Sequence, residues 1–175
     1  MDKIVFLDPV FCERIWGGRN LEKFDFSIPQ GNIGEAWVIA AHDNGSSKIT
    51  NGELAGLTLK EAYEKQPTLF TEKVYDKFPL LIKILDASDN LSVQVHPEDD
   101  YARENENGEL GKTECWYVLD AKEGAKLVYG HTAKTKEEFN DKINREQWRE
   151  LFIEEEVKVG DFFYIPAGTL HAIGE

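Results

Sequence analysis

The chain has 175 residues, 41% hydrophobic and 11% aromatic, enough apolar material for a packed core in a domain-sized chain. Asp+Glu 33 against Lys+Arg 20 gives a net charge of −13, which repels nucleic-acid backbones and anionic membrane surfaces. There is no membrane-length apolar run and no signal-peptide start, and Cys12 and Cys115 stand too far apart for a metal finger, so the chain reads as cytoplasmic, with two buried or free thiols and no disulfide framework.

In chain order, a first strand is predicted at 4–7, and Gly17-Gly18 reads as a turn. A strand at 35–41 is followed by turns at Asn44-Gly45 and Asn51-Gly52. Thr58 with Glu61 has capping-box spacing, and Leu59, Ala62 and Tyr63 form an apolar stripe, so a helix begins there. Strands at 80–86 and 91–96 come next, then a short helix at 98–106 and strands at 114–120 and 126–129. Thr135 with Glu138 repeats the capping spacing, and Phe139, Ile143 and Leu151 continue at helical intervals. A pair of strands covers 156–173, with turns at Gly160-Asp161 and Gly168. Many short strands with closely spaced turns predict an all-β sandwich or barrel carrying a few helical insertions.

Three segments carry chemistry. Leu91-Ser92-Val93-Gln94-Val95-His96 alternates, so that Ser92, Gln94 and His96 share a face. In Glu114-Cys115-Trp116-Tyr117-Val118, Glu114 and Trp116 share a face with Lys112, and a carboxylate starting an apolar strand is costly to bury unless it is paired or on a metal. Lys112 could be its ion-pair partner. His171 follows the tight turn at Pro166 and Gly168. Together Gln94, His96, Glu114 and His171 offer an amide oxygen, two imidazoles and a carboxylate. That set suits a divalent metal with an open position, zinc first and manganese, iron, cobalt or nickel after it. His42 and His131 fit no ligand pattern and read as surface or structural.

The spacing of Gly160, Pro166, Gly168 and His171 resembles the second cupin motif, although the motif's following Asn is Glu175 here. Gln94-Val95-His96-Pro97 with Gly111-Lys112-Thr113-Glu114-Cys115-Trp116-Tyr117 narrows the likeness, and the chain resembles the type I mannose-6-phosphate isomerases in their short bacterial form. Ile15-Trp16-Gly17-Gly18, Gly34-Glu35-Ala36-Trp37, the stretch from Phe78 to Leu85, and Tyr129-Gly130-His131-Thr132 extend it over essentially the whole chain.

The resemblance implies a cupin-type jelly-roll at 1–175, truncated at its C-terminus and lacking the family's C-terminal region and second domain. It implies Gln94, His96, Glu114 and His171 as ligands of one zinc per chain. Trp16, Glu35, Ser92 and Lys112 would line the sugar pocket, Lys83 and Lys112 would hold the phosphate, and Lys112 and Glu35 would be the catalytic side chains. The implied reaction interconverts mannose 6-phosphate and fructose 6-phosphate through a metal-stabilised cis-enediol. The family's downstream acidic residue and catalytic arginine lie beyond Glu175, so weak or no isomerase activity is expected of these residues alone. The implied partner is a small sugar phosphate, in a monomer or homodimer that binds neither nucleic acid nor membrane. Two alternatives stand beside this reading: a metal-dependent cupin dioxygenase, disfavoured by Gln94 in place of a histidine, and a non-catalytic metal- or sugar-binding cupin.

Overall fold

The computed structural model describes residues 4–175. The chain divides into two units, Met1–Ser88 and Asp89–Glu175.

The first unit contains β1 (Leu7–Asp8), β2 (Val10–Gly18), β3 (Ile33–Ile39), β4 (Ala41–His42), β5 (Gly45–Ser46), β6 (Lys48–Ile49), helix α1 (Leu59–Lys65) and β7 (Ile82–Leu85). Its main sheet is antiparallel, in the order β2-β3-β7. Phe11, Ala36 and Ile84 are register partners across all three strands. They join the core of Leu21 and Ile33, with Phe26, Ile28 and Val38 packed against it. Glu35 and Trp37 alternate with Ala36, and Lys83 with Ile84, so these three stand on the opposite face from that pair. Helix α1 begins as its spacing predicts: Thr58 Oγ1 accepts from Glu61 N at 3.2 Å, and the Glu61 carboxylate accepts from Thr58 N at 2.8 Å.

Strand β2 is absent from the sequence reading, because Gly17 and Gly18 look like a turn. Both instead end the strand at points of close approach: a Cβ on Gly17 would come 2.4 Å from Gly34 N, and one on Gly18 would come 2.0 Å from Ser88 Oγ. The strand expected at 4–7 shrinks to Leu7–Asp8. Ahead of it the Asn51 amide replaces a partner strand, accepting from Phe6 N and donating to the Ile4 carbonyl, each at 2.8 Å. The strand expected at 35–41 is Ile33–Ile39, ending where Ser47 Oγ accepts from Ala40 N at 3.0 Å. The one expected at 80–86 is Ile82–Leu85.

The second unit contains α2 (Asp99–Asn105), β8 (Glu114–Tyr117), β9 (Lys126–His131), α3 (Lys136–Asn144), α4 (Trp148–Leu151), β10 (Phe152–Glu156), β11 (Phe162–Ile165) and β12 (His171–Ile173). The strands form two antiparallel sheets, β10-β9-β12 and β11-β8. The helix expected to run on to Leu151 breaks at Glu146, whose φ of 56 ends α3 and leaves Leu151 on α4. The pair expected at 156–173 is β11 and β12, with Glu156 closing β10 ahead of them, and the strand expected at 91–96 is reduced to a single bridge between Gln94 and His171.

Strands dominate, the α-helices are short, and none of the five sheets among the described residues closes into a barrel. Cys12 is half-buried, Cys115 is exposed, and neither is in a disulfide. No helix among the described residues is long and apolar enough to cross a membrane.

Candidate metal centre

Main-chain bonds within the second unit bring three distant segments together. Gln94 and His171 exchange both backbone hydrogen bonds at 2.9 Å, Gly168 N donates to His96 O at 2.8 Å, and Lys112 N donates to Pro97 O at 3.0 Å. Residues directly opposite in an antiparallel pair share a face, so the Gln94 side chain emerges on the side of His171. His96, two residues on, returns to that side. Glu114 opens β8 opposite Ile165 of β11, and burial alternates along β8 as read from the sequence, with Glu114 and Trp116 inward and Cys115 and Tyr117 exposed.

His171 is 1% exposed. Its Nδ1 lies 2.7 Å from the Thr169 carbonyl, which only accepts, so Nδ1 carries the proton. Nε2 is left buried, with a lone pair and no hydrogen-bond partner. Glu114 Oε2 stands 3.4 Å from that nitrogen and 3.3 Å from His96 Nε2. Lys112 Nζ reaches Glu114 Oε1 at 2.7 Å and His96 Nε2 at 3.0 Å. An ammonium only donates, so His96 Nε2 is also a lone-pair nitrogen. Burial, and then the Lys112 charge, hold the His96 pKa below its ordinary value, which keeps the ring neutral. Trp116 closes the group edge-on, its ring centroid 5.4 Å from that of His171.

The donor set fits a metal ion. One ligand atom from each of His96, Glu114 and His171 lies within 4.8 Å of the others. Tetrahedral zinc with bonds near 2.0–2.1 Å sets its ligand atoms about 3.3–3.4 Å apart, close to the two carboxylate–imidazole spacings. The buried, unpartnered Nε2 is otherwise a costly group, and a cation would satisfy it.

Of the other sequence-derived candidates, Ser92 is exposed two residues before Gln94, and Lys112 is at the metal group. Trp16, Glu35 and Lys83 belong to the first unit. Trp16 is half-buried on β2, and its carbonyl accepts from Ser88 N at 2.9 Å. Glu35 is buried: Oε1 accepts from Lys83 Nζ at 3.0 Å, and Oε2 accepts from Trp37 Nε1 at 3.1 Å and from Arg14 at 2.5 Å. Burial alone would raise the Glu35 pKa, but these partners, Lys83 foremost, bring it below the usual carboxylate value. Arg14 is the residue the sequence reading missed. Its place two positions from Cys12 and from Trp16 becomes informative only once β2 is known to be a strand. His42 and His131 lie outside the metal group; their rings meet Trp37 and Phe139 edge-on.

The family model described as phosphomannose isomerase type I, catalytic domain, matches residues 4–119. Mannose-6-phosphate isomerase ManA of Bacillus subtilis is 54% identical over 171 residues, covering 98% of this chain and 54% of the relative. The mannose-6-phosphate isomerase of Streptococcus mutans is 51% identical over 176 residues, covering 100% of this chain and 55% of the relative. The crystal structure of the Bacillus subtilis mannose 6-phosphate isomerase superposes with a TM-score of 0.94 at 50% identity, over 97% of this chain and 55% of that one. The chain thus spans about half the length of the curated relatives it matches.

Proposed function

From a chain that belongs to the type I phosphomannose isomerase family, we propose a part of an isomerase that interconverts mannose 6-phosphate and fructose 6-phosphate by way of a cis-enediol. Residues 1–175 are its metal-binding, cupin-like portion. The observation that carries this reading is the His96–Glu114–His171 group with its bare, buried Nε2. Gln94, on the same face as His171, is the fourth proposed ligand. The proposed ion is zinc, about one per chain, suited to two imidazoles, a carboxylate and an amide oxygen. When bound, it supplies positive charge next to oxygens on which negative charge develops.

The side chains have separable parts. The reaction moves a proton from C2 to C1, and a positioned acid–base group contributes roughly 10²–10⁴-fold to such a step. Lys112, its ammonium against Glu114 and His96, places a second positive charge beside the ligand atoms and can hold a substrate oxygen or phosphate. Ser92 and Trp16 are proposed sugar contacts, and Lys83 a phosphate contact. For Glu35, whose oxygens are taken by Lys83, Arg14 and Trp37, the proposed part is to hold those two cations. These assignments rest on the family resemblance and on each unit's own geometry. A charged sugar phosphate is a small-molecule partner retained inside cells, and the proposed location is the cytoplasm.

The test is elemental analysis of chain purified without chelators, together with a coupled isomerase assay with and without zinc. One zinc per chain with zinc-dependent turnover supports the reading. Metal uptake with weak or no turnover is what the resemblance implies for these residues alone and leaves the isomerase reading standing, and no metal would remove the ligand assignment.

A further inference from the structure

On one face of the β2-β3-β7 sheet, two cations meet one carboxylate. Arg14 and Lys83 both bind Glu35, at 2.5 and 3.0 Å. The side chains of Glu35 and Lys83 are only 8% and 21% exposed. One negative charge offsets only one of the two positive ones. A balanced pair would be the simpler way to tie three strands together, since a second, partly desolvated cation is a cost without a second anion. Cys12, paired in register with Glu35, does not supply that charge, because burial raises the pKa of its thiol.

Both cations are also held in place with donors to spare. Arg14 gives one guanidinium nitrogen to Glu35 and the other terminal nitrogen to the Glu13 carbonyl at 2.9 Å, out of five N–H bonds. Lys83 gives one hydrogen bond to Glu35, and its ammonium sits 4.9 Å from the centroid of the Trp37 ring. Trp37 Nε1 in turn donates to Glu35. Carboxylate and indole thus orient the two cations without exhausting them.

We infer that Arg14 and Lys83 form a subsite for a phosphate monoester, and that Glu35 is the internal anion that holds them ready. A phosphate monoester near pH 7 carries roughly 1.5–2 negative charges on three acceptor oxygens, which suits a guanidinium and an ammonium side by side. The choice of a sugar phosphate as its natural source rests on the isomerase reading, but the anion site rests on the first unit's geometry alone. Arg14 is then a substrate-binding residue, and Glu35 a positioning residue acting through both cations.

The test is calorimetric titration of the full chain with inorganic phosphate and with mannose 6-phosphate, both zinc-loaded and in EDTA, so that phosphate bound to metal is counted separately. Saturable binding of inorganic phosphate in EDTA is expected, weakened roughly tenfold by Arg14→Gln or Lys83→Gln, as for loss of one charge-assisted hydrogen bond. Glu35→Gln keeps both cations but loses the anion that orients them, so it is expected to weaken phosphate binding as well, while Glu35→Asp, which keeps the charge, is expected to restore it in part. Circular dichroism verifies folding of each variant; if Lys83→Gln does not fold, Arg14→Gln and Glu35→Gln carry the test. No saturable binding in EDTA, or equal affinity in wild type, Arg14→Gln and Glu35→Gln, overturns the subsite. If zinc uptake fails while phosphate binding follows this pattern, the subsite stands and the isomerase reading falls.

Discussion

The Thr169 carbonyl decides the chemistry of His171. Held 2.7 Å from Nδ1, it takes the only ring proton and leaves Nε2 buried as a lone pair, 3.4 Å from Glu114. His171→Ala or His96→Ala is therefore expected to remove bound metal outright in elemental analysis. Gln94→Ala should weaken it less, a neutral amide oxygen giving up less than an imidazole. Zinc at about a hundredfold excess over its Kd stabilises the folded chain by about 2.7 kcal/mol. That rise in melting temperature should appear in wild type and vanish in His171→Ala; an equal rise in both would remove His171 from the ligand set.

Lys112 touches two proposed ligands without being one. Its 2.7 Å contact goes to Glu114 Oε1, leaving Oε2 and His171 Nε2 untouched, and its 3.0 Å contact to His96 Nε2 is the one that a bound ion would displace. Lys112→Ala is expected to keep its zinc, while sugar-phosphate affinity falls roughly tenfold or more with the loss of a charge-assisted contact. Zinc analysis and ligand titration on one preparation check both halves. Metal loss equal to that of His96→Ala would make Lys112 a structural support of the ligands.

The metal group was legible in the sequence because its residues sit beside strong local signals. Pro97 follows His96, Gly168 precedes His171 with a φ of 83, and Glu114 stands at the start of an apolar strand. Period-two alternation put Gln94 with His96, and Glu114 with Trp116, on shared faces; the second face survives in the structure, while 91–96 forms only one bridge and Gln94 is exposed. Sheet membership depends on a partner strand, which local pattern does not encode. The charged face of the first unit was only half legible. Glu35 and Lys83 stood out, but Arg14 did not, because glycines needed for close approach at Gly17 and Gly18 look the same in sequence as glycines needed for a turn. The break at Glu146 was hidden for a similar reason: a non-glycine residue with positive φ carries no obvious mark.

Glu35 makes stability depend on pH in a definite direction. Burial opposes its charge, but Lys83, Trp37 and Arg14 outweigh it and lower the folded-state pKa. A carboxyl whose pKa is lowered on folding contributes stability that is fully present above its unfolded value, near 4.3, and is lost as pH falls through the lower folded value. The melting temperature of wild type should therefore drop on acidification through that window. Glu35→Gln should be less stable at neutral pH and show a flatter acid limb. Parallel melting curves for the two proteins from pH 7 down to pH 3 would show that the carboxylate is not stabilised by its cations.

Gly34 tests how tightly the charged face is built. A Cβ there would lie 2.6 Å from both Arg14 Cβ and the Trp16 ring, and a Cβ, unlike the end of a long side chain, has no room to swing away. Gly34→Ala must move β2 against β3, an overpacking cost of about 1–3 kcal/mol. Arg14 and Trp16 ride on β2, so the same shift should weaken phosphate binding together with stability, while zinc, whose proposed ligands all belong to the second unit, should stay at its wild-type stoichiometry. Thermal melts, phosphate titration and metal analysis of that one variant separate these effects. Wild-type melting and phosphate affinity in Gly34→Ala would mean that Arg14 is not held where the geometry puts it.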